Sequence, residues 1–223
     1  NNIVRYLCVL LLMFVSCTSR YPGPLSPEKA LESFELREGF RIELFATEPL
    51  VRDPVCMEFD EQGNAYVVEM PDYPFKPEAG MAKGRIIQLK DTDGDGRADE
   101  SVVFADSLME ATSILPWKGG LLVTTAPYIL YLKDTDGDGR SDTREVLFSG
   151  FFDQNSEAQI TSLSFGIDNW IYAANNGQAG EVNSARDSIA APLRMNGADF
   201  RFRMDRSQFE QTAGSGQFGQ TLD

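Results

Sequence analysis

Histidine is absent from the 223 residues. Within this stretch that excludes Ser-His-Asp and Cys-His nucleophile systems, His-ligated zinc and a c-type haem attachment motif. Positive charge is scarce: Lys and Arg number 20 against 34 Asp and Glu, a formal net charge of −14. No basic stripe is available to displace counterions from phosphates, so nucleic acid is not an expected partner. Apolar runs are short. Residues 7–15 (LCVLLLMFV) make nine in a row, whereas a helical membrane span needs about 20. Cysteine occurs three times, at Cys8, Cys17 and Cys56, too few for a disulfide framework. What is present is globular: 42% hydrophobic and 24% charged residues, with chain enough to bury the core of one or two ordinary domains.

The chain opens on Asn1-Asn2 without Met and stops at Asp223 inside a strand-rich pattern, so it reads as a piece of a longer reading frame. Arg5, the short apolar run and the small residues after it have the layout of a secretory signal. Phe14-Val15-Ser16-Cys17 looks like a bacterial lipobox, although Leu is usual where Phe14 stands; Cys17 would then carry lipid. Plain cleavage near Ser16 or Ser19 is the alternative. Residues 20–24 (RYPGP) read as an extended tether. The expected organisation is a signal with lipobox over 1–17, a tether over 18–33 with a short helix at 26–33, and one domain over 34–223. The expected location is the cell envelope, touching membrane only through the lipid anchor. Cys8 leaves with the signal, which leaves Cys56 alone in the mature domain, without a disulfide partner.

Two segments nearly copy each other: residues 85–108 (RIIQLKDTDGDGRADESVVFADSL) and 128–151 (YILYLKDTDGDGRSDTREVLFSGF). Asp91 and Asp134 are equivalent and 43 residues apart, the length of a four-stranded propeller blade. A second pattern precedes each, at 55–70 and 112–127, and recurs at 161–176; each reads as strand, turn and strand, with turns at Gly63-Asn64, Gly119-Gly120 and Asp168-Asn169. Residues 199–214 are a third version of the other half. The expectation is therefore an all-β fold, the N-terminal three blades or so of a six-bladed, truncated β-propeller, with a β-sandwich as the alternative.

The copied loops are acidic. Asp91, Asp93, Asp95 and Asp99 occupy positions 1, 3, 5 and 9, with Gly96 at 6; Asp134, Asp136, Asp138, Gly139 and Asp142 repeat the pattern. Calcium takes six to eight oxygens at about 2.3–2.6 Å, and alternating carboxylates on a turning backbone can point inward together. The backbone carbonyls of Arg97 and Arg140 would add an oxygen each at position 7. Position 12 is Glu145 in the second loop but Val102 in the first, which predicts a tighter second site. Two calcium ions are expected, on strand-flanked rather than helix-flanked loops. A plain Asp-Gly turn is the alternative, but a turn needs one such pair, not four acids in fixed register occurring twice.

In a propeller the connections after the second strand of each blade would converge at one mouth. From hairpin turn to Asp loop the spacing is 28, 15 and 36 residues, so the inserts at 69–84 and 175–197 are elaborate, and loops of that length are functional or disordered. Candidates there for a substrate or cofactor mouth are Tyr73, Arg85, Asn175, Asn176, Arg186 and Arg194, with Glu69 and Asp72 as catalytic candidates. Each also has a plain role as turn former or solvated charge. Trp117 and Trp170 sit at matched hairpin positions and read as packing residues.

Residues 40–74, the paired DTDGDGR segments, 165–177 (FGIDNWIYAANNG) and 198–214 together resemble the membrane-bound dehydrogenase domain of planctomycete, verrucomicrobial and Bacteroidetes exported proteins. That domain is related to glucose/sorbosone dehydrogenase propellers using pyrroloquinoline quinone. The resemblance implies six blades, bound calcium and oxidation of a sugar or polyol, with a c-type cytochrome domain elsewhere in the full-length protein. Relatives commonly carry Gln-His-Arg where this chain has Glu157-Ala158-Gln159, and a histidine there would serve as general base. The two functions expected are a dehydrogenase-like enzyme acting on carbohydrate and a non-catalytic, calcium-stabilised module binding a glycan or protein. A bare scaffold would have short loops, unlike the 28- and 36-residue spacings.

Overall fold

The structure is a computed structural model that describes residues 23–186 and 191–219. The expected signal with its lipobox at Cys17 lies outside the described residues. The chain divides into two compact units, 1–44 and 45–223. In the first, α1 (Pro27–Glu32) starts with Pro27 in its first turn and with Ser26 as N-cap, whose side chain accepts from the Lys29 amide at 3.4 Å.

The second unit is all-β. Among the described residues, 14 strands form three antiparallel sheets. The first is a plain meander: β1 (Pro54–Phe59), β2 (Ala65–Glu69), β3 (Gly84–Lys90) and β4 (Glu100–Leu108). The second contains β5 (Ala111–Trp117), β6 (Gly120–Thr125), β7 (Tyr128–Lys133) and β8 (Thr143–Ser149). The third contains β9 (Thr161–Phe165), β10 (Ile171–Ala174), β13 (Asp199–Arg203) and β14 (Gln208–Thr212). Between β10 and β13 lie β11 (Ala179–Ser184) and β12 (Leu193–Asn196), which leave the third sheet and extend the second, giving the order β12-β11-β8-β7-β6-β5. The β5–β6 turn holds Lys118 at φ 48° and Gly119 at φ 70°, the twisted two-residue geometry that matches strand twist.

The expected β-propeller is overturned. The sheets are three, each is open, and no ring closes among the described residues. The 43-residue period encodes a four-stranded meander, which the first sheet follows, but it does not encode how meanders are arranged. The insert at 175–197, expected as a mouth connection, is largely a hairpin. Its strand β11 pairs with β8, Asn183 opposite Ser149 and Ser184 opposite Phe148. Glycine makes that approach possible: a Cβ on Gly150 would lie 2.0 Å from the Glu181 carbonyl oxygen, and one on Gly180 2.7 Å from that of Gly150.

The core lies between neighbouring sheets. Val68 and Ile86 of the first pack with Ile114, Leu121 and Val123 of the second. Phe148 of the second packs with Phe200 and Phe202 of the third, with ring centroids 5.3 and 5.0 Å apart. β1, β5 and β9 stand at the edges of their sheets, and β5 lies against both of the others. Each of these three hairpins carries a register shift, between Pro54 and Cys56, between Ala111 and Ser113, and opposite Tyr172 and Ala174. Such bulges re-aim side chains at a sheet edge.

Candidate functional site

The three edge strands line a cleft of about 840 Å³. β1 contributes Val55, Cys56 and Glu58, β5 contributes Thr112 and Ser113, and β9 contributes Thr161, Ser162 and Ser164; Asp53, Tyr73, Ser156, Glu157, Gln159 and Gln217 add polar groups from the connecting segments. Hydroxyls stitch β5 to β9. Thr112 Oγ1 donates to the Ile160 carbonyl at 2.7 Å, and Ser113 Oγ accepts from the Leu163 amide at 3.2 Å. The loop after β2 is strapped across to the segment before β9. Tyr73 donates its hydroxyl to Glu157 Oε1 at 2.6 Å, and Lys76 Nζ reaches the Asp153 carbonyl at 2.6 Å and its carboxylate at 2.8 Å. The bond to Glu157 raises the Tyr73 pKa above its ordinary value. Burial does the same for the Cys56 thiol and for the Glu58 carboxyl.

Of the mouth residues expected from sequence, the structure brings Tyr73 and Asn176 together. Both meet Glu157, Asn176 by donating Nδ2 to its carbonyl at 3.1 Å. The others serve elsewhere. Glu69 is 2% exposed, accepts from the Arg52 amide at 2.6 Å and is paired with the partly exposed Arg85, an ion pair at the end of the β2–β3 ladder. The Asp72 carboxylate accepts from the Lys83 amide at 2.7 Å and closes its own loop. Asn175 is buried and donates Nδ2 to the carbonyls of Gln178 and Ala198. Arg194 pairs with Glu181 across the β11–β12 hairpin at 3.6 Å. Arg186, just past β11, binds Glu145 through Nε at 2.9 Å and Nη2 at 3.0 Å. Trp117 packs edge-on to Tyr131, and Trp170 carries the Arg201 guanidinium 4.4 Å above its ring.

Sequence reasoning missed the acid behind the cleft. Glu110 is 1% exposed and accepts from Ser156 Oγ and, at 2.8 Å, from Gln159 Nε2. The one sequence signal is that an acid precedes both β1 and β5, Asp53 and Glu110; in the structure both residues adopt positive φ, 45° and 48°. The hydroxyls of β5 and β9 were legible as strand residues only, since which strand edges converge is a property of the assembled sheets.

The two acidic loops share most of their hydrogen bonds, although the Asp95 amide reaches Asp91 only in the first and the Asp136 amide reaches Asp134 only in the second. Asp91 accepts from the amides of Gly94 at 2.7 Å and Gly96 at 2.8 Å; Asp134 accepts from Gly137 at 2.6 Å and Gly139 at 2.8 Å. Asp99 accepts from Thr92 Oγ1 and Asp142 from Thr135 Oγ1, both at 2.7 Å. Asp95 and Asp138 accept from the amides of Arg97 and Arg140 at 2.8 and 2.7 Å. These bonds hold Asp99, Asp134 and Asp142 below the usual carboxylate range. Carboxylate oxygens of Asp91, Asp93 and Asp99 come within 4.8 Å of one another, as do those of Asp134, Asp136 and Asp138. That spread suits a hard cation with oxygen ligands at about 2.3–2.6 Å. Glu145, expected as the position-12 ligand, pairs with Arg186, which lowers its pKa. Each loop also docks outside its own hairpin: the Ala98 amide donates to the Phe45 carbonyl at 2.8 Å and the Ser141 amide to that of Phe104 at 2.7 Å.

Pyrroloquinoline quinone, which the resemblance implies, is a planar tricarboxylate and needs cationic partners. The cleft lining presents Asp53, Glu58 and Glu157 and no lysine or arginine among the described residues. These residues do not fit that cofactor.

No helix among the described residues is long and apolar enough to cross a membrane. No curated protein and no solved structure matches the chain. A family model does match it over residues 26–223, and the chain belongs to that family, described as a domain of unknown function (DUF7133).

Proposed function

We propose that this is an exported, calcium-braced binding domain whose cleft takes a neutral polyhydroxylated ligand, a carbohydrate or polyol. The observation that carries this is the lining of the cleft. It sets the hydroxyls of β5 and β9 and the amides of Gln159 and Gln217 among apolar side chains, it bears acid without base, and it includes two buried polar atoms without a partner among the described residues, Gln159 Oε1 and Ser164 Oγ. Buried polar groups are ordinarily satisfied, and a ligand rich in hydroxyls supplies donors and acceptors together. The paired Asp loops support the calcium part, since gathered carboxylates repel one another until a cation is added. Residues 7–17 support export and attachment to the envelope through Cys17.

Dehydrogenation is the weaker reading. Glu69 is committed to Arg85 and the Arg52 amide, and Asp72 to the Lys83 amide, so neither is poised to take a hydroxyl proton. The test is titration calorimetry of the calcium-loaded protein with neutral mono- and oligosaccharides, beside a dye-reduction assay with the same sugars and pyrroloquinoline quinone. Saturable heat without dye reduction is expected. Turnover would overturn the non-catalytic reading, and the lack of any heat would overturn carbohydrate binding.

A further inference from the structure

We infer that Gln159 is the hydrogen-bond acceptor for a ligand hydroxyl, set in orientation by Glu110, and that it makes the cleft favour neutral over acidic saccharides; this rests on the carbohydrate reading above. Gln159 lines the cleft and is 3% exposed. Its Nε2 donates to Glu110 Oε2 at 2.8 Å, and Glu110 is held in turn by Ser156 Oγ. A carboxylate offers only acceptors, so the amide must turn its NH₂ toward Glu110 and leave Oε1 as the free end. Oε1 has no partner among the described residues. A ligand O–H or N–H completes it, whereas a ligand carboxylate cannot.

Charge acts in the same direction. Asp53, Glu58 and Glu157 line the cleft and no lysine or arginine among the described residues does, so a uronic acid meets like charge where its neutral parent meets none. A site built to hydrogen-bond a donor rejects analogues that leave its buried polar group unpaired. Glu110 lies behind Gln159 and is absent from the lining, which makes it a positioning residue.

Glucose, galactose and mannose, with glucuronate and galacturonate as their acidic counterparts, are the probes, titrated calorimetrically against wild type, Gln159→Met and Glu110→Gln. At least one neutral sugar should bind wild type, with its uronate at least about tenfold weaker. Gln159→Met should weaken the neutral sugar about tenfold, as expected for one lost hydrogen bond to a buried group. Glu110→Gln keeps the volume but introduces a donor that can occupy Oε1, so it should weaken binding comparably. Circular dichroism and terbium uptake by the Asp loops verify that both variants fold. In ligand-free protein, the Gln159 side-chain amide protons should exchange slowly in wild type and faster in Glu110→Gln.

Equal neutral-sugar affinity in all three proteins would overturn the inference and leave carbohydrate binding standing. So would a uronate that binds as well as its parent, or fast amide exchange in wild type. If no neutral sugar binds wild type, carbohydrate binding falls and the inference with it.

Discussion

Glu69 is the most buried member of an ion pair in the molecule's described part, 2% exposed against a half-exposed Arg85. The asymmetry decides which side is costly to remove. Arg85→Met strands a desolvated carboxylate with only the Arg52 amide for company, and we expect a loss of about 3 kcal/mol. Glu69→Gln leaves the guanidinium in water and should cost less, on the order of 1 kcal/mol. Urea unfolding of the two variants checks the order; a larger loss in Glu69→Gln would contradict it. Cys56 gives a second test on the same scale. Burial raises its pKa, so thiolate is scarce at neutral pH and alkylation should be slow, accelerating as pH rises past the ordinary thiol range near 8.5. Because Cys56 lines the cleft, a bound sugar should slow labelling further, read by mass spectrometry of the Cys56 peptide. Fast labelling at pH 7 would show that the cleft is more open than described.

At the scale of elements, strands were readable and their partners were not. The repeated strand-like runs at 86–89 and 129–132 and the flanking turn residues marked β3 and β7, and a helical start was visible in Ser26-Pro27. The insert at 175–197 misled because nothing local says whether a Gly-rich polar stretch stays a loop or finds an open edge. The edge of β8 is what captures it, and Gly150 and Gly180 permit the contact. Gly150→Ala, at φ 99° with a carbonyl 2.0 Å from the new methyl, should therefore cost at least about 2 kcal/mol and raise hydrogen exchange over 179–184. Unchanged exchange there would contradict the docking. The same limit hid the pairing of Glu145 with Arg186. Position 12 is a matter of loop counting, whereas its capture by Arg186, 41 residues on, depends on where β11 lands.

The acidic loops titrate as elements. Asp99, Asp134, Asp142 and Glu145 all have pKa values held below their ordinary ones. Depressed carboxyls favour the folded state above the unfolded values near pH 4, and that contribution is lost as pH falls through the lower, folded values. Thermal midpoints measured from pH 3 to 7 should thus decline below about pH 4 in chelator. In calcium the decline should shift to lower pH, because the bound ion disfavours protonation further. Curves that coincide with and without calcium would argue that the loops are turns alone.

On the scale of the whole molecule, three open sheets present their edge strands to one cleft while two copied loops dock outside their own hairpins, onto the Phe45 and Phe104 carbonyls. Composition foretold the acidic, globular character, and repetition foretold the strands and the meander; the sequence period could not report that the sheets remain three and open, because closure depends on packing between units. Cleft chemistry and loop chemistry are separable in this arrangement, one held by hydroxyls on β5 and β9, the other by carboxylates at hairpin ends. Hydrogen exchange of the calcium-loaded protein, with and without a saturating neutral oligosaccharide, reads both at once. Ligand-dependent protection should concentrate on residues 54–58, 111–114 and 161–164. Protection elsewhere, or none at any sugar concentration, would contradict a carbohydrate-binding cleft.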